Sequence, residues 1–393
     1  MIQFFITGMF RSGTTTIARA LNAHPAMAVA ADPFAELFKA LRSEEAQALG
    51  QRIPVMAPLD DYYFDPDGQA LLNRLRNKTA LDSPFKVWDR RSLMQRLKTR
   101  CETYSGTLVP LLDNMEGDTY RTILDSMLAL VLEAYGGPRT EVVGFKEVWM
   151  TEFIPILARA WKDARFLVVE RDPRAVCASK NARDERYPWV FLSRQWRKLA
   201  ALDYAFRNDP SLRDRVLSIR YEDFITHPEE ITKKICDFVG VPWHPDIADP
   251  GCYRDGRGEP WFQNTAFGQG KADFDTATIN RWSSVLSDRE IRLIELMCGP
   301  EMGLYGYECI NNPPRLDSEM IIDSPRIGDD EQARWMHGKV PNDPVKTAIQ
   351  MAEEGIRAAL LKVNSQHIQS VPEELIRAAF LDRRVFEEVS NQL

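Results

Sequence analysis

The sequence lacks paired cysteines, long apolar runs and an excess of basic residues. Its six cysteines are scattered with no CxxC pair, so it predicts neither a zinc cluster nor a disulfide framework. No apolar run approaches the roughly 18 residues that a membrane-spanning helix needs. The 50 basic and 57 acidic residues give a net charge of -7, which argues against nucleic acid as a partner because such proteins usually have a net basic surface. We expect a cytoplasmic protein with neither a membrane nor a nucleic-acid partner.

The pattern of apolar segments predicts an α/β fold. Residues 2–7 are mostly apolar, without the basic region or cleavage site of a signal peptide, and indicate a first β-strand. Further strands are predicted at 142–145, 165–170 and 216–223, with a helix at 152–161 between the second and third. Because strands alternate with helices, the predicted core is a doubly wound parallel sheet.

Two long segments lie outside this alternation. Residues 35–140 have a mostly helical pattern and predict a large helical insertion between core strands. Proline punctuation from Asn311 indicates a linker, and residues 343–391 indicate two amphipathic helices. We predict one domain over residues 1–310, followed by a linker and helical extension over 311–393.

A phosphate-binding loop follows the first predicted strand. Gly8-Met9-Phe10-Arg11-Ser12-Gly13-Thr14-Thr15 has the GxxxxG frame of a P-loop between a strand and a helix. Its amides and the helix N-terminus suit a phosphate. Thr14 stands where a nucleotide-hydrolysing loop carries lysine, and Arg11 can supply the cation instead. A glycine turn capped by threonines, or a degenerate kinase loop with Glu170 near magnesium, stays open at this point.

A second anion site is indicated at the end of the third predicted strand. Arg171 stands at that strand end, and Ser179 is expected on the helix that follows. A guanidinium fork and a hydroxyl are suitable donors to a phosphate dianion. The alternative is that Arg171 pairs with Asp172 or Asp184 on a solvated face.

These motifs resemble those of the sulfotransferases that use 3'-phosphoadenosine 5'-phosphosulfate (PAPS). R-S-G-T-T before a helix ending in H-P is similar to their 5'-phosphosulfate loop, R-D-P-R-A-V-x-A-S to their 3'-phosphate motif, and R-Y-E-D at 220–223 to a late strand with a nucleotide-contacting tyrosine. The resemblance covers residues 1–34 and about 142–309. It implies PAPS as donor, 3',5'-adenosine diphosphate as product and no metal. The implied nucleotide-binding residues are Phe10, Arg11, Ser12, Gly13, Thr14, Thr15, Thr16, Arg171, Ser179, Arg183, Tyr221, Lys271 and Arg281.

The resemblance also implies catalytic residues. Sulfuryl transfer builds negative charge on the leaving oxygen, so positioned cations should dominate catalysis. Arg11 and Lys146 are the candidates. The spacing of Lys146 is similar to that of the core lysine in tyrosylprotein-type enzymes. Asp32 stands 21 residues after Arg11, where those enzymes carry a catalytic glutamate, and is the predicted base. Glu36 and Glu147 are the alternative bases.

The predicted function is transfer of a sulfuryl group from PAPS to a hydroxyl or amine of a small-molecule acceptor, a specialised metabolite among the candidates. A magnesium-dependent P-loop kinase and a non-catalytic adenine-nucleotide-binding protein are the alternatives. Residues 60–67 combine four carboxylates with three aromatic rings, which suits either a cationic acceptor or a solvated acidic turn with its tyrosines packed inward.

Overall fold

A five-stranded parallel sheet forms the core of this protein. The computed structural model describes residues 1–53, 55, 66–179, 189–261, 274–311, 353–363 and 365–392. The strands are β1 (Ile2–Gly8), β2 (Met27–Ala31), β3 (Val142–Lys146), β4 (Arg165–Glu170) and β5 (Val216–Arg220). They are ordered β2-β3-β1-β4-β5 and every pair is parallel. The predicted α/β fold with a parallel sheet is confirmed.

Burial on both faces explains the near-continuous apolar strands. Phe4, Phe5 and Ile6 in β1 are fully buried, as are Phe166 to Val169 in β4. Neighbouring backbones approach so closely that a Cβ at Gly144 would lie 1.6 Å from the carbonyl oxygen of Phe4. Glycine is therefore required at the centre of β3.

The chain divides into two compact units. The first comprises Met1–Val55, Arg74–Glu170 and Pro210–Thr276 and contains the whole sheet. Its helices are α1 (Thr14–Asn22), α2 (Ala35–Ala48), part of α3 (Pro66–Asn77), α4 (Arg90–Tyr104), α5 (Tyr120–Tyr135), α6 (Ile154–Ala160), α9 (Tyr221–Thr226) and α10 (Pro228–Val239). Helices α2 to α5 agree with the helical pattern of the insertion.

The second unit comprises Met56–Asn73, Arg171–Asp209 and Ala277–Leu393. Its helices are α7 (Pro173–Cys177), α8 (Trp189–Arg207), α11 (Ala277–Asn280), α12 (Trp282–Val285), α13 (Asp288–Gly303), α14 (353–360), α15 (Glu373–Phe380) and α16 (Arg383–Asn391). None of the helices in the described part of the chain is long and apolar enough to cross a membrane. The predicted domain boundary at residue 310 stays a prediction.

Three details differ from the expectations. The strand predicted at 216–223 ends at Arg220 because Tyr221 begins helix α9, with Glu222 and Asp223 in its first turn. Strand β2 was not expected, since its sequence MAVAA is short and rich in alanine, a poor strand former. The C-terminal extension was expected to have two helices over 343–391, but its described part has three, α14, α15 and α16, because the chain breaks between α15 and α16 at Leu381, which has a φ of 63°.

Candidate active site

The candidate residues stand where the parallel strands end. The phosphate loop follows β1, Asp32 follows β2, Lys146 ends β3, and Tyr221 follows β5. Arg171 is the residue after β4. Ligands in open parallel sheets bind beyond the carboxyl ends of the strands, so the topology explains why these motifs follow strands.

The phosphate loop has the backbone of an anion cradle. Arg11 and Gly13 have φ values of 69° and 80°, in the left-handed region, and α1 begins at Thr14. Gly13 is the N-cap residue of this helix and has no side chain of its own to occupy the first-turn N–H groups. The hydroxyl of Ser12 is fully buried and makes no hydrogen bond to any described residue. A loop with these groups fits a phosphate or phosphosulfate.

Tyr221 packs on the phosphate loop. A Cβ at residue 13 would lie 2.1 Å from the Tyr221 ring, so only glycine lets the ring come this close. Tyr221 is 9% exposed. It therefore lies beside the loop from the first turn of α9, although the sequence had indicated a strand position.

Strand register brings Asp32 to Lys146. Ala31 pairs with Lys146 in the sheet, and the next amide, Asp32 N, donates to the Lys146 carbonyl at 2.7 Å. The Lys146 amine donates to Asp32 Oδ2, and both side chains are nearly inaccessible. Asp32 has a φ of 51°, which is unfavourable outside glycine, asparagine and aspartate and is typical of functional sites. Asp32 and Lys146 thus form a buried ion pair on a constrained backbone.

Arg100 of α4 holds this region together. Its Nε donates to the Asp32 carbonyl at 2.7 Å, and its Nη2 lies 3.5 Å from Glu147 Oε1. The Asp32 and Glu36 carboxylates are each 3.9 Å from its guanidinium. Glu147 is also anchored by the Phe34 amide, at 3.2 Å from Oε2. Sequence reasoning missed Arg100, because its partners are 68 and 47 residues distant along the chain.

Six residues form what we call the strand-end cluster: Asp32, Glu36, Lys39, Arg100, Lys146 and Glu147. Burial raises the pKa of Glu147 to about 7, although the attraction of Arg100 opposes that rise. Burial also lowers the pKa of Lys146 despite the Asp32 carboxylate. Burial, followed by repulsion from Arg100, lowers the pKa of Lys39 to about 8. Such perturbed groups are typical of functional sites.

The second predicted anion site lies in the second unit. Arg171 Nη2 donates to the Thr278 carbonyl at 3.1 Å, and its own carbonyl accepts from Trp196 Nε1 at 2.8 Å. Ser179 follows α7, which ends at Cys177, so it is not on that helix as expected. The Arg174 guanidinium forms ion pairs with Asp172 and Glu295. Arg281 precedes α12. These contacts fix the backbone around Arg171.

Three sequence-based expectations fall wholly or mostly outside the described residues: Arg183, Lys271, and residues 60–65 of the acidic aromatic segment 60–67. His24 is described and its ring serves the backbone, with Nδ1 accepting from the Ala26 amide at 3.0 Å and Nε2 2.7 Å from the Pro242 carbonyl. These bonds agree with the structural role typical of a histidine-proline helix end.

A family comparison decides which proteins this chain belongs with. The model described as "Sulfotransferase family" matches residues 3–245, which span the sheet and the phosphate loop. This chain belongs to the sulfotransferase family. Family membership supports transfer of a sulfuryl group and confirms the resemblance found in the loop motifs.

Curated relatives are distant carbohydrate sulfotransferases. Carbohydrate sulfotransferase 2 of Mus musculus is 25% identical over 126 residues, 30% of this chain and 22% of the relative. Carbohydrate sulfotransferase 1 of Mus musculus is 25% identical over 236 residues, 52% of this chain and 54% of the relative. The matches thus span at most about half the length of these two relatives.

Solved structures, a sulfotransferase domain among them, are also similar. The sulfotransferase domain of the Synechococcus PCC 7002 olefin synthase is 18% identical with a TM-score of 0.47, covering 78% of this chain and 94% of that chain. Retinol dehydratase in complex with retinol and PAP is 12% identical with a TM-score of 0.35, covering 76% of this chain and 81% of that chain.

Proposed function

We propose that this sulfotransferase transfers the sulfuryl group of PAPS to a hydroxyl or amine of a small-molecule acceptor, with Asp32 as the base. The buried Asp32–Lys146 pair beside the phosphate loop strand carries this proposal. It joins a proton acceptor and a cation, the two groups that sulfuryl transfer to a hydroxyl needs.

The loop suits the 5' end of the donor. Its left-handed Arg11 and Gly13, the start of α1 and the buried Ser12 hydroxyl offer amides and a hydroxyl to a phosphosulfate. Arg171 and Ser179 are proposed for the 3'-phosphate on the sequence motif. We also retain Thr14, Thr15, Thr16, Phe10, Tyr221, Arg183, Lys271 and Arg281 as proposed nucleotide contacts.

In the proposed reaction, the acceptor hydroxyl attacks sulfur in line with the departing 5'-phosphate oxygen. The S–O bond to the acceptor forms as the S–O bond to the phosphate breaks, and Asp32 takes the hydroxyl proton. Lys146 and Arg11 stabilise the charge that gathers on the leaving oxygen. Glu147 stays an alternative base, because Phe34 and Arg100 hold its carboxylate much as Lys146 and Arg100 hold that of Asp32.

The acceptor class follows less directly. The names of the relatives add carbohydrate hydroxyls to the small metabolites that deserve testing. A screen with labelled PAPS should therefore include sugars, phenols, hydroxy acids and amines.

A binding experiment tests the donor. We expect 3',5'-adenosine diphosphate to raise the melting temperature of the protein more than ATP with magnesium does, because a ligand that binds the native state stabilises it by mass action. Arg171→Ala should weaken the binding of 3',5'-adenosine diphosphate by roughly 1.5 to 3 kcal/mol, the range of a charged hydrogen bond. It should leave the binding of 5'-AMP unchanged.

Arg174→Ala is the matched control, because Arg174 is committed to Asp172 and Glu295 and should affect both nucleotides alike. Equal losses of affinity for the two nucleotides in Arg171→Ala would refute the role of Arg171 in binding the 3'-phosphate. A preference for ATP with magnesium, together with turnover that EDTA abolishes and magnesium restores, would support the kinase.

A further inference from the structure

Lys39 is a buried cation that the proposed chemistry does not use. It lies on α2 and is 6% exposed. It forms no hydrogen bond and no ion pair with any described residue, and its one ring contact places the amine 5.5 Å from the centre of the Trp149 ring. A buried ammonium without a hydrogen-bonded partner is costly, and proteins rarely keep one without a use.

With Lys39 itself counted, the charged groups that act on one another here among the described residues are three cations and two carboxylates. Arg100 and Arg42 repel its ammonium while Glu36 and Glu147 attract it. The pKa of Glu147 is raised to about 7 by burial, so at neutral pH this carboxyl is ionised only in part. The nearby acids therefore do not balance the nearby bases, and an anion is the group that would restore the balance.

The position of Lys39 points to the acceptor. Lys39 is one helical turn from Glu36, which lies 3.9 Å from the Arg100 guanidinium that also bonds Asp32. Its aromatic neighbour, Trp149, in turn packs on Phe10 of the phosphate loop, with ring centres 5.6 Å apart. Lys39 thus borders the region between the candidate base and the loop, on a helix that carries none of the nucleotide motifs.

We propose that Lys39 binds an anionic group, a carboxylate or a phosphate, of the acceptor, with Trp149 as the apolar wall beside it. The proposal rests on the sulfotransferase function proposed above. It also gives the opposite expectation from segment 60–67, whose composition favours a cationic acceptor, so the charge preference of the enzyme decides between them.

Matched acceptors test the proposal in the full-length protein. Hydroxybenzoates and short hydroxy acids are compared with their methyl esters, using labelled PAPS, in the wild type, Lys39→Gln and Lys39→Arg. We expect the wild type to favour the acids in kcat/KM, Lys39→Gln to lose roughly 10-fold or more of that preference, and Lys39→Arg to retain most of it. The lost preference should appear as a higher KM for the acids, and the affinity for 3',5'-adenosine diphosphate should be unchanged.

A binding measurement on the wild type covers a poorly folded Lys39→Gln and a failed acceptor screen. Lysines of the wild type are reductively methylated with ¹³C, the Lys39 signal is assigned by its absence in Lys39→Arg, and benzoate or benzamide is titrated with 3',5'-adenosine diphosphate present. Benzoate should shift that signal, and benzamide should leave it in place.

Several outcomes would overturn the proposal: no preference for acids in the wild type, an unchanged preference in Lys39→Gln, or a Lys39 signal that benzoate leaves in place. Weakened 3',5'-adenosine diphosphate binding in Lys39→Gln with acceptor preference intact would assign the anion to the donor instead. If the wild type binds no 3',5'-adenosine diphosphate, the proposed function fails, and the benzoate titration without nucleotide still reports on Lys39.

Discussion

Two of the buried charge clusters in the described part of the chain differ in how completely their charges are paired. The strand-end cluster belongs to the first unit. The second unit contains what we call the helix cluster: Arg194, Arg197, Glu301, Glu354 and Arg357. There Glu354 lies 2.7 Å from Arg197 and 3.3 Å from Arg194, and Glu301 pairs with Arg357. Every acid in the helix cluster has a close guanidinium.

The pKa directions express the same difference. In the helix cluster, burial would raise the pKa of Glu354, but Arg197 and Arg194 outweigh it and the net change is a lowering. In the strand-end cluster, burial wins and the pKa of Glu147 rises to about 7. Saturated pairing is typical of a structural anchor, whereas incomplete pairing leaves groups able to exchange protons or bind ligands.

The largest expected effect is on stability, in the helix cluster. Glu354→Ala leaves two buried guanidiniums without their carboxylate, which should lower the free energy of unfolding by about 3 to 5 kcal/mol. Urea unfolding measures it. Glu353→Ala is the matched control, because its carboxylate is 39% exposed at 3.4 Å from Arg194, and should cost at most about 1 kcal/mol. Equal small losses would show that the helix cluster anchors nothing.

The next effect is on turnover, in the strand-end cluster. Asp32→Asn keeps the size of the side chain and tolerates the left-handed backbone, but it cannot accept a proton. Turnover of a hydroxyl acceptor should fall roughly 100-fold or more, with 3',5'-adenosine diphosphate affinity little changed. Glu36→Gln is the control and should be milder. A larger loss in Glu36→Gln than in Asp32→Asn would make Glu36 the base and break the assignment of Asp32.

The sequence predicted the sheet better than it predicted the clusters. Strands β1 and β4 contain the apolar runs Phe4 to Ile6 and Phe166 to Val169, so burial on both faces was indicated by the sequence. The loop residues were found because their chemistry is local: a glycine, an arginine and a helix start within a few positions. Asp32 was found by spacing, and the register of β2 with β3 then explains its contact with Lys146.

Arg100 and Lys39 could not be found in this way. Arg100 meets Asp32 from a helix 68 residues later, and no local pattern distinguishes it from the arginines around it. Lys39 lies on α2, whose residues from Ala35 to Ser43 are all buried. A helix buried all round loses the polar face that its sequence suggests, so a lysine expected in solvent is instead enclosed.

The smallest expected effect is a pH dependence that separates the clusters directly. The ordinary pKa of a glutamate is about 4.5, and burial raises that of Glu147 to about 7 despite the attraction of Arg100. Between these values the folded protein retains a proton that the unfolded chain has released, so the contribution of Glu147 to stability is fully present below the unfolded pKa and is lost as pH rises through the folded one.

Glu147→Gln removes this titration, so the variant should gain stability relative to the wild type by roughly 1 to 3 kcal/mol between pH 5 and pH 8. Glu354→Gln is the control with the opposite sign. Its folded pKa is lowered, so its contribution is lost only as pH falls below the ordinary range, and the deficit of that variant should stay constant from pH 5 to pH 8. Urea unfolding across this range measures both. If the free energy of unfolding of Glu147→Gln also differs from that of the wild type by a constant amount over this range, Glu147 is ionised throughout. The two clusters would then be equally saturated.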